Sequence, residues 1–161
     1  MTGLVVLVGI GLVLFAGSFF SKRRFGLLGL ALAAGYVLSL LWLDTAEFMV
    51  AMTGFVPTGV VSHFIATVAL LLLPPVLLFF HGTAYKTVTG RIVGSFLFTV
   101  LALGFLAEPM SKALVLDGVS VQAFGWLKDN AELIMGVGVM AAVFDMFISK
   151  PAVFSGSGRK R

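Results

Sequence analysis

Few side chains in this chain could do chemistry, and Asp145 is the first to weigh. It lies in the apolar segment Ala131–Ser149, at the end of the uncharged stretch Leu133–Phe144. An acid inside an apolar helix is costly and often marks a proton or ion path. The plainer reading is an ion pair at a membrane interface, because Asp145 lies near Lys150 and Arg91 belongs on the same side. His63 could titrate near neutral pH. It stands about one turn inside its apolar run, where a wet interfacial histidine is the plainer reading. His81 falls at the far end of the same run, about 27 Å away at about 1.5 Å per residue, so the two cannot share a metal within one subunit. The absence of cysteine removes disulfides, thiolate metal sites and CxxC redox chemistry. HExxH, GxSxG, Walker and GxGxxG patterns are missing, and the acids are scattered over separate connections. The expectation is a protein that is not an enzyme, with no catalytic residue, cofactor or metal.

Backbone features offer more. Pro74 and Pro75 inside one run remove two helix hydrogen bonds, and the carbonyls freed are those of Leu70 and Leu71. In lipid those carbonyls need other partners. The pair is a candidate hinge or gate, or a static kink that shapes packing. Gly90 and Gly94 share a GxxxG, Gly29 and Ala33 repeat its spacing, and Gly136, Gly138, Ala141 and Ala142 crowd the last apolar run. Such small faces let helices approach closely, either between subunits or within one. Trp42 and Trp126 read as interfacial anchors.

These residues must be carried by elements suited to lipid. Of 161 residues, 60% are hydrophobic and 11% charged, against about half and about a quarter in a soluble domain. A chain this short could not hide so much apolar surface in one core. The net charge of +4 comes from short basic clusters between apolar runs, which read as topology signals and lipid contacts rather than nucleic-acid contacts. Apolar runs of spanning length cover residues 2–20, 25–43, 60–80 and 92–107, the last extended by snorkelling of Arg91. The first has no basic residue before it and Lys22, Arg23 and Arg24 after it, as in a retained span with its N-terminus outside rather than a signal peptide.

Residues 131–149 are harder to place. They could span, re-enter or lie on the surface, since Glu132 and Asp145 bracket the uncharged part. Counting Lys and Arg puts the first connection and the tail (Lys150, Arg159, Lys160, Arg161) inside, and the second, with Asp44 and Glu47, outside. Alternation then places Lys86 and Arg91 inside and the connection with Glu108, Asp117, Asp129 and Glu132 outside. A fifth crossing is needed to return the tail to the cytoplasm.

Between the spans, Asp44 with Glu47 has capping-box spacing, and Phe48, Met49, Met52 and Phe55 recur at helical intervals. That reads as a short outer amphipathic helix ended by Gly54 and Pro57. Asp117-Gly118 marks a turn or small hairpin, and Asp129 with Glu132 repeats the capping-box spacing. The expected organisation is a transmembrane helical domain over residues 1–150 and a disordered basic cytoplasmic tail over residues 151–161.

The order of these features resembles the colicin V production protein family of small bacterial inner-membrane proteins. The resemblance rests on an apolar first span, the basic junction Lys22-Arg23-Arg24-Phe25-Gly26, a long third span, and the turn Thr89-Gly90-Arg91-Ile92-Val93-Gly94 leading into a fourth. Family members continue with regularly spaced glycines, whereas Ser95, Phe98 and Thr99 stand here and no glycine follows until Gly104. An acid usual near the turn is also missing before Arg91. The resemblance implies an inner-membrane protein linked to export or envelope homeostasis, and it carries over no catalytic residue.

Taken together, the expectation is an all-α polytopic protein of four to five spans. It would self-associate as a scaffold or channel-like component. The alternatives are a transporter or proton-coupled subunit using Asp145 and a Pro74-Pro75 hinge, or an accessory subunit of another membrane protein.

Overall fold

The first apolar run forms α1, Thr2–Ser21, which no charged residue interrupts. It stops at Lys22, whose left-handed backbone (φ 58°) turns the chain. Arg24 is extended and opens α2, Phe25–Met52. The computed structural model describes residues 2–56, 59–79, 85, 87–114 and 118–148. Among these are four more helices: α3, Val60–Phe79; α4, Val88–Ala113; α5, Val119–Asp129; and α6, Ala131–Ile148. No strand occurs among the described residues.

Several boundaries differ from expectation for a common reason. At 28 residues α2 is about 42 Å long, well beyond a hydrocarbon core of about 30 Å. It runs straight through Asp44, so the capping box expected there does not exist and residues 44–52 are the end of α2. Nothing between Leu43 and Met52 breaks a helix, and the first strong breaker is Gly54. A further short helix, α5, begins at Val119 directly after the Asp117-Gly118 pair, of which Asp117 lies outside the described residues. Likewise α4 starts before Ile92 and passes Ala107 and Pro109 to reach Ala113. Its first turn is capped by Thr87, whose hydroxyl accepts the Gly90 N–H at 3.3 Å. Asp129 is the last residue of α5 rather than a cap of α6. The break falls at Asn130, which returns both its backbone N–H (3.1 Å) and its side-chain amide (2.7 Å) to the Trp126 carbonyl.

Two ends organise the bundle. Arg23 marks one, where α1 and α3 finish and α2 and α4 begin; Glu47 marks the other. Helices α2 and α3 form the most extensive pair, α4 lies against both, and α6 packs on α2 and α4. Helix α1 rests mainly on α4. Helix α6 runs opposite to α2. It starts beside Gly104 and Tyr36 and finishes beside Gly26. Leu28 and Leu32 of α2, Leu71 of α3, Phe98 and Leu101 of α4, and Ala142 of α6 are buried where these helices meet.

The outward faces stay apolar. Val13 of α1, Leu41 of α2, Leu77 of α3, Phe96 of α4 and Phe147 of α6 are all exposed. Among the described residues, four helices are long and apolar enough to cross a membrane, and α5 with α6, bent by 53°, makes a fifth if the pair is one crossing. Water would penalise these faces and acyl chains would not. The chain is a multi-pass helical membrane protein. Pro57, His81, Lys86, Asp117, Lys150 and the expected tail over residues 151–161 lie outside the described residues.

Candidate functional site

At the Glu47 end the bundle opens. A cavity of about 270 Å³ lies between α2, α3 and α4. Its mouth carries His63, Glu108 and Lys112, and its deepest lining residues are Tyr36, Leu71 and Phe105. From His63 to Leu71 is eight residues of α3, or about 12 Å, close to half the thickness of a hydrocarbon core. A second cavity of about 230 Å³ lies between α2, α4 and the α5–α6 bend, lined by Lys128, Glu132 and Met135. Tyr36, Phe105 and Glu108 line both cavities and so divide them. The rings of Tyr36 and Phe105 stand 5.1 Å apart at 39°.

Charges at the mouth are paired locally. His63 Nδ1 lies 3.1 Å from Glu47 Oε2. The Ser62 hydroxyl is 3.2 Å from Glu47 Oε1. Glu47 therefore ties the end of α2 to the start of α3, which gives the interfacial histidine a partner on another helix. Lys112 donates to Glu108 at 2.8 Å one turn along α4, and both side chains are more than half exposed.

Prolines shape the same cleft. Helix α3 remains helical through Pro74 and Pro75. The carbonyl released by Pro75 belongs to Leu71, and Gly35 of α2 packs directly on it. The Leu71 oxygen occupies the place a Cβ on residue 35 would take, with the Leu71 carbonyl carbon 2.9 Å from that point. Only glycine allows this approach. Pro109, which lines the first cavity, likewise leaves the Phe105 carbonyl without its intrahelical donor. Leu71 and Phe105, whose carbonyls Pro75 and Pro109 release, both line the cleft, whereas Leu70, released by Pro74, does not.

The Arg23 end is closed by cross-helix hydrogen bonds. Asp145 Oδ2 accepts the Gly26 N–H at 2.8 Å, and the Tyr85 hydroxyl accepts the Phe25 N–H at 3.1 Å. Two donors at the start of α2 are thus satisfied from α6 and from the α3–α4 connection, while Arg24 offers no side-chain cap. A carboxylate there also meets the positive end of the α2 dipole. Tyr85 hydrogen-bonds Asp145 as well, and its phenol is raised above its ordinary value of 10.0, chiefly by burial. Arg23 Nε donates to the Phe79 carbonyl at 3.0 Å, and Arg91 donates to the Phe19 carbonyl at 2.9 Å. Arg91 also lies 4.4 Å over the Phe19 ring. These arginines cap the ends of α3 and α1, where carbonyls lack partners.

The small residues divide in the same way. Gly94 and Gly90 form the bed for the Tyr85 ring, and a Cβ on Gly94 would come within 2.7 Å of it. Gly29 faces Ala142, and Gly138 faces Leu101. Ala33 packs on the core. Gly136 alone among the five glycines singled out from the sequence faces open space.

Tyr36, Glu108, Tyr85, Gly26 and Gly35 had no place among the sequence candidates. A tyrosine amid aliphatic residues and a Glu-Pro pair after a span were visible signals. Nothing in the sequence pairs Gly35 with Leu71. Comparison with known protein families, curated proteins and solved structures gives no match for this chain.

Proposed function

We propose that the protein is a non-enzymatic, channel-like component of a bacterial inner membrane, serving export or envelope homeostasis. One observation carries this reading: the cleft at the Glu47 end runs about 12 Å along α3, from His63 to Leu71, between helices that carry Pro75 and Pro109. Carbonyls released by proline within a membrane take new partners from neighbouring helices or from water, and a cavity beside them gives water access. Basic residues gather at the other end, which favours the Arg23 end in the cytoplasm and the cleft outside. Self-association through α6 belongs to the same proposal. Gly136 leaves room for a close neighbour there, and Met140 and Phe147 lie exposed on that helix.

Cysteine scanning tests the cleft, because the chain has no cysteine of its own. Thr67→Cys, inside the cleft, should react with a membrane-impermeant thiol reagent added from the side that labels Thr53→Cys. Leu77→Cys, on the apolar face of the same helix, should not. An unreactive Thr67→Cys in folded protein would mean a dry cleft and end the channel-like reading.

A transporter reading finds support in the Pro75–Leu71–Gly35 contact, a natural bending point. Asp145 suits it less well, since its carboxylate is engaged in capping α2. Loss of flux in Asp145→Asn with unchanged thermal stability would favour that alternative.

A further inference from the structure

The pairing at the cleft mouth fixes a tautomer. A carboxylate only accepts hydrogen bonds, so the proton of neutral His63 sits on Nδ1, 3.1 Å from Glu47 Oε2. Nε2 is left as an acceptor, with no hydrogen-bond partner among the described residues. The ring lines the cleft together with Glu108 and Lys112 of α4, and it is within electrostatic reach of Glu108. The charged groups around His63 are therefore Glu47 on α2 and Glu108 and Lys112 on α4, with Asp44 exposed one turn back along α2. Lys128 of α5 acts on Glu108 from the far side. Three helices thus bring their polar side chains to one opening, and a single imidazole stands between two carboxylates.

We propose that His63 is a proton-operated latch that narrows the cleft at acid pH. This rests on the cleft reading above and supplies its regulation. Histidine is the side chain whose charge changes between about pH 5 and pH 8. Protonation turns Nε2 into a second donor. Glu47 already holds Nδ1 from α2, and Glu108 is the acceptor that α4 offers at the mouth for Nε2. Glu108 gives up little by turning there, because its partner Lys112 is one turn along the same helix and both are more than half exposed. A hydrogen bond between two charged groups is roughly twice as strong as a neutral one. Lys112 repels the protonated ring, but its exposed, flexible stem lets the ammonium turn to water. The charged ring then ties α2, α3 and α4 together across the opening. Neutral His63 ties only α2 to α3, and the cleft stays open.

The test follows the labelling rate of Thr67→Cys against pH in the full-length protein in vesicles. The reagent is a sulfonated maleimide, added from the side that labels Thr53→Cys. Dividing by the rate of the exposed Thr53→Cys removes the effect of pH on the thiol itself. The reagent is an anion, so a positive His63 without closure would draw it in and raise the ratio, whereas closure lowers it. The ratio should fall several-fold from about pH 8 to about pH 5.5, the span over which histidine titrates. In His63→Gln, neutral throughout, it should hold its value. Glu108→Gln should abolish the fall as well, and it serves even if His63→Gln fails to fold, because it leaves the α2–α3 junction intact. A level or rising ratio with wild-type His63 would overturn the latch and leave the cleft reading standing. An undiminished fall in His63→Gln would overturn it too, by assigning the response to another group. No labelling of Thr67→Cys at any pH would remove the cleft, and the latch with it.

Discussion

The two ends of this bundle use polar side chains in opposite ways. At the Arg23 end, Arg23, Arg91, Tyr85 and Asp145 each reach across to the end of another helix and satisfy a backbone group there. At the Glu47 end, Glu108 and Lys112 pair along a single helix, His63 meets Glu47 across the α2–α3 junction, and the space between the helices stays open. A polar group that caps a buried helix end is structural, and removing it strands a backbone donor. An exposed polar group at the rim of a cleft keeps water as an alternative partner. Sensitivity of stability to substitution should therefore be concentrated at the Arg23 end.

The largest effect should come from Gly26→Leu. A Cβ there would lie 2.6 Å from the Ala142 carbonyl oxygen and 3.0 Å from the Asp145 carboxylate, and the backbone cannot yield. A loss of about 3 kcal/mol or more is expected, the upper part of the overpacking range. Denaturant titration in detergent micelles reads it, and Gly125→Leu, facing open space on α5, is the control that should lose no stability.

Asp145→Ala should follow, with a loss of about 1.5–3 kcal/mol for a hydrogen bond to a charged group. Asp145→Asn keeps an acceptor and should lose less. Equal losses in the two variants would mean that capping is not what Asp145 does.

Alkaline pH gives a third contrast. Because the Tyr85 phenol is raised in the folded protein, its contribution is complete below its ordinary value of 10.0 and is lost as pH rises through the higher folded value. Melting temperatures should fall more steeply above pH 10 in wild type than in Tyr85→Phe, and parallel curves would remove Tyr85 from the account.

At the Glu47 end, Glu47→Gln should cost no more than about 1 kcal/mol, since the His63–Glu47 pair is partly exposed. Lys112→Ala is the smallest, at about 0.3–0.5 kcal/mol for an exposed pair one helical turn apart. A Lys112→Ala loss matching that of Asp145→Ala would erase the distinction between the two ends.

Much of the scaffold was legible because spanning helices announce themselves by unbroken apolar length. The runs starting at Thr2, Phe25, Val60 and Ala131 all became helices near those positions. Ends beyond the apolar run were not legible. Residues 44–52 and 108–113 continue α2 and α4 because polar helix formers do not stop a helix that has already nucleated. The polar sites were read one residue at a time. Asp145 could be suspected from its apolar surroundings, but its partner, the Gly26 N–H, is a backbone group that no side-chain pattern reveals.

By itself, then, the sequence determined the solvent, the class of element and the segregation of charge, since each follows from local composition. Only the tertiary structure decided which glycine meets the carbonyl freed by Pro75, which ring separates the two cavities, and that α1 rests mainly on α4. Those depend on how helices are rotated and offset against one another, and rotation and offset are fixed by packing between segments distant in the chain.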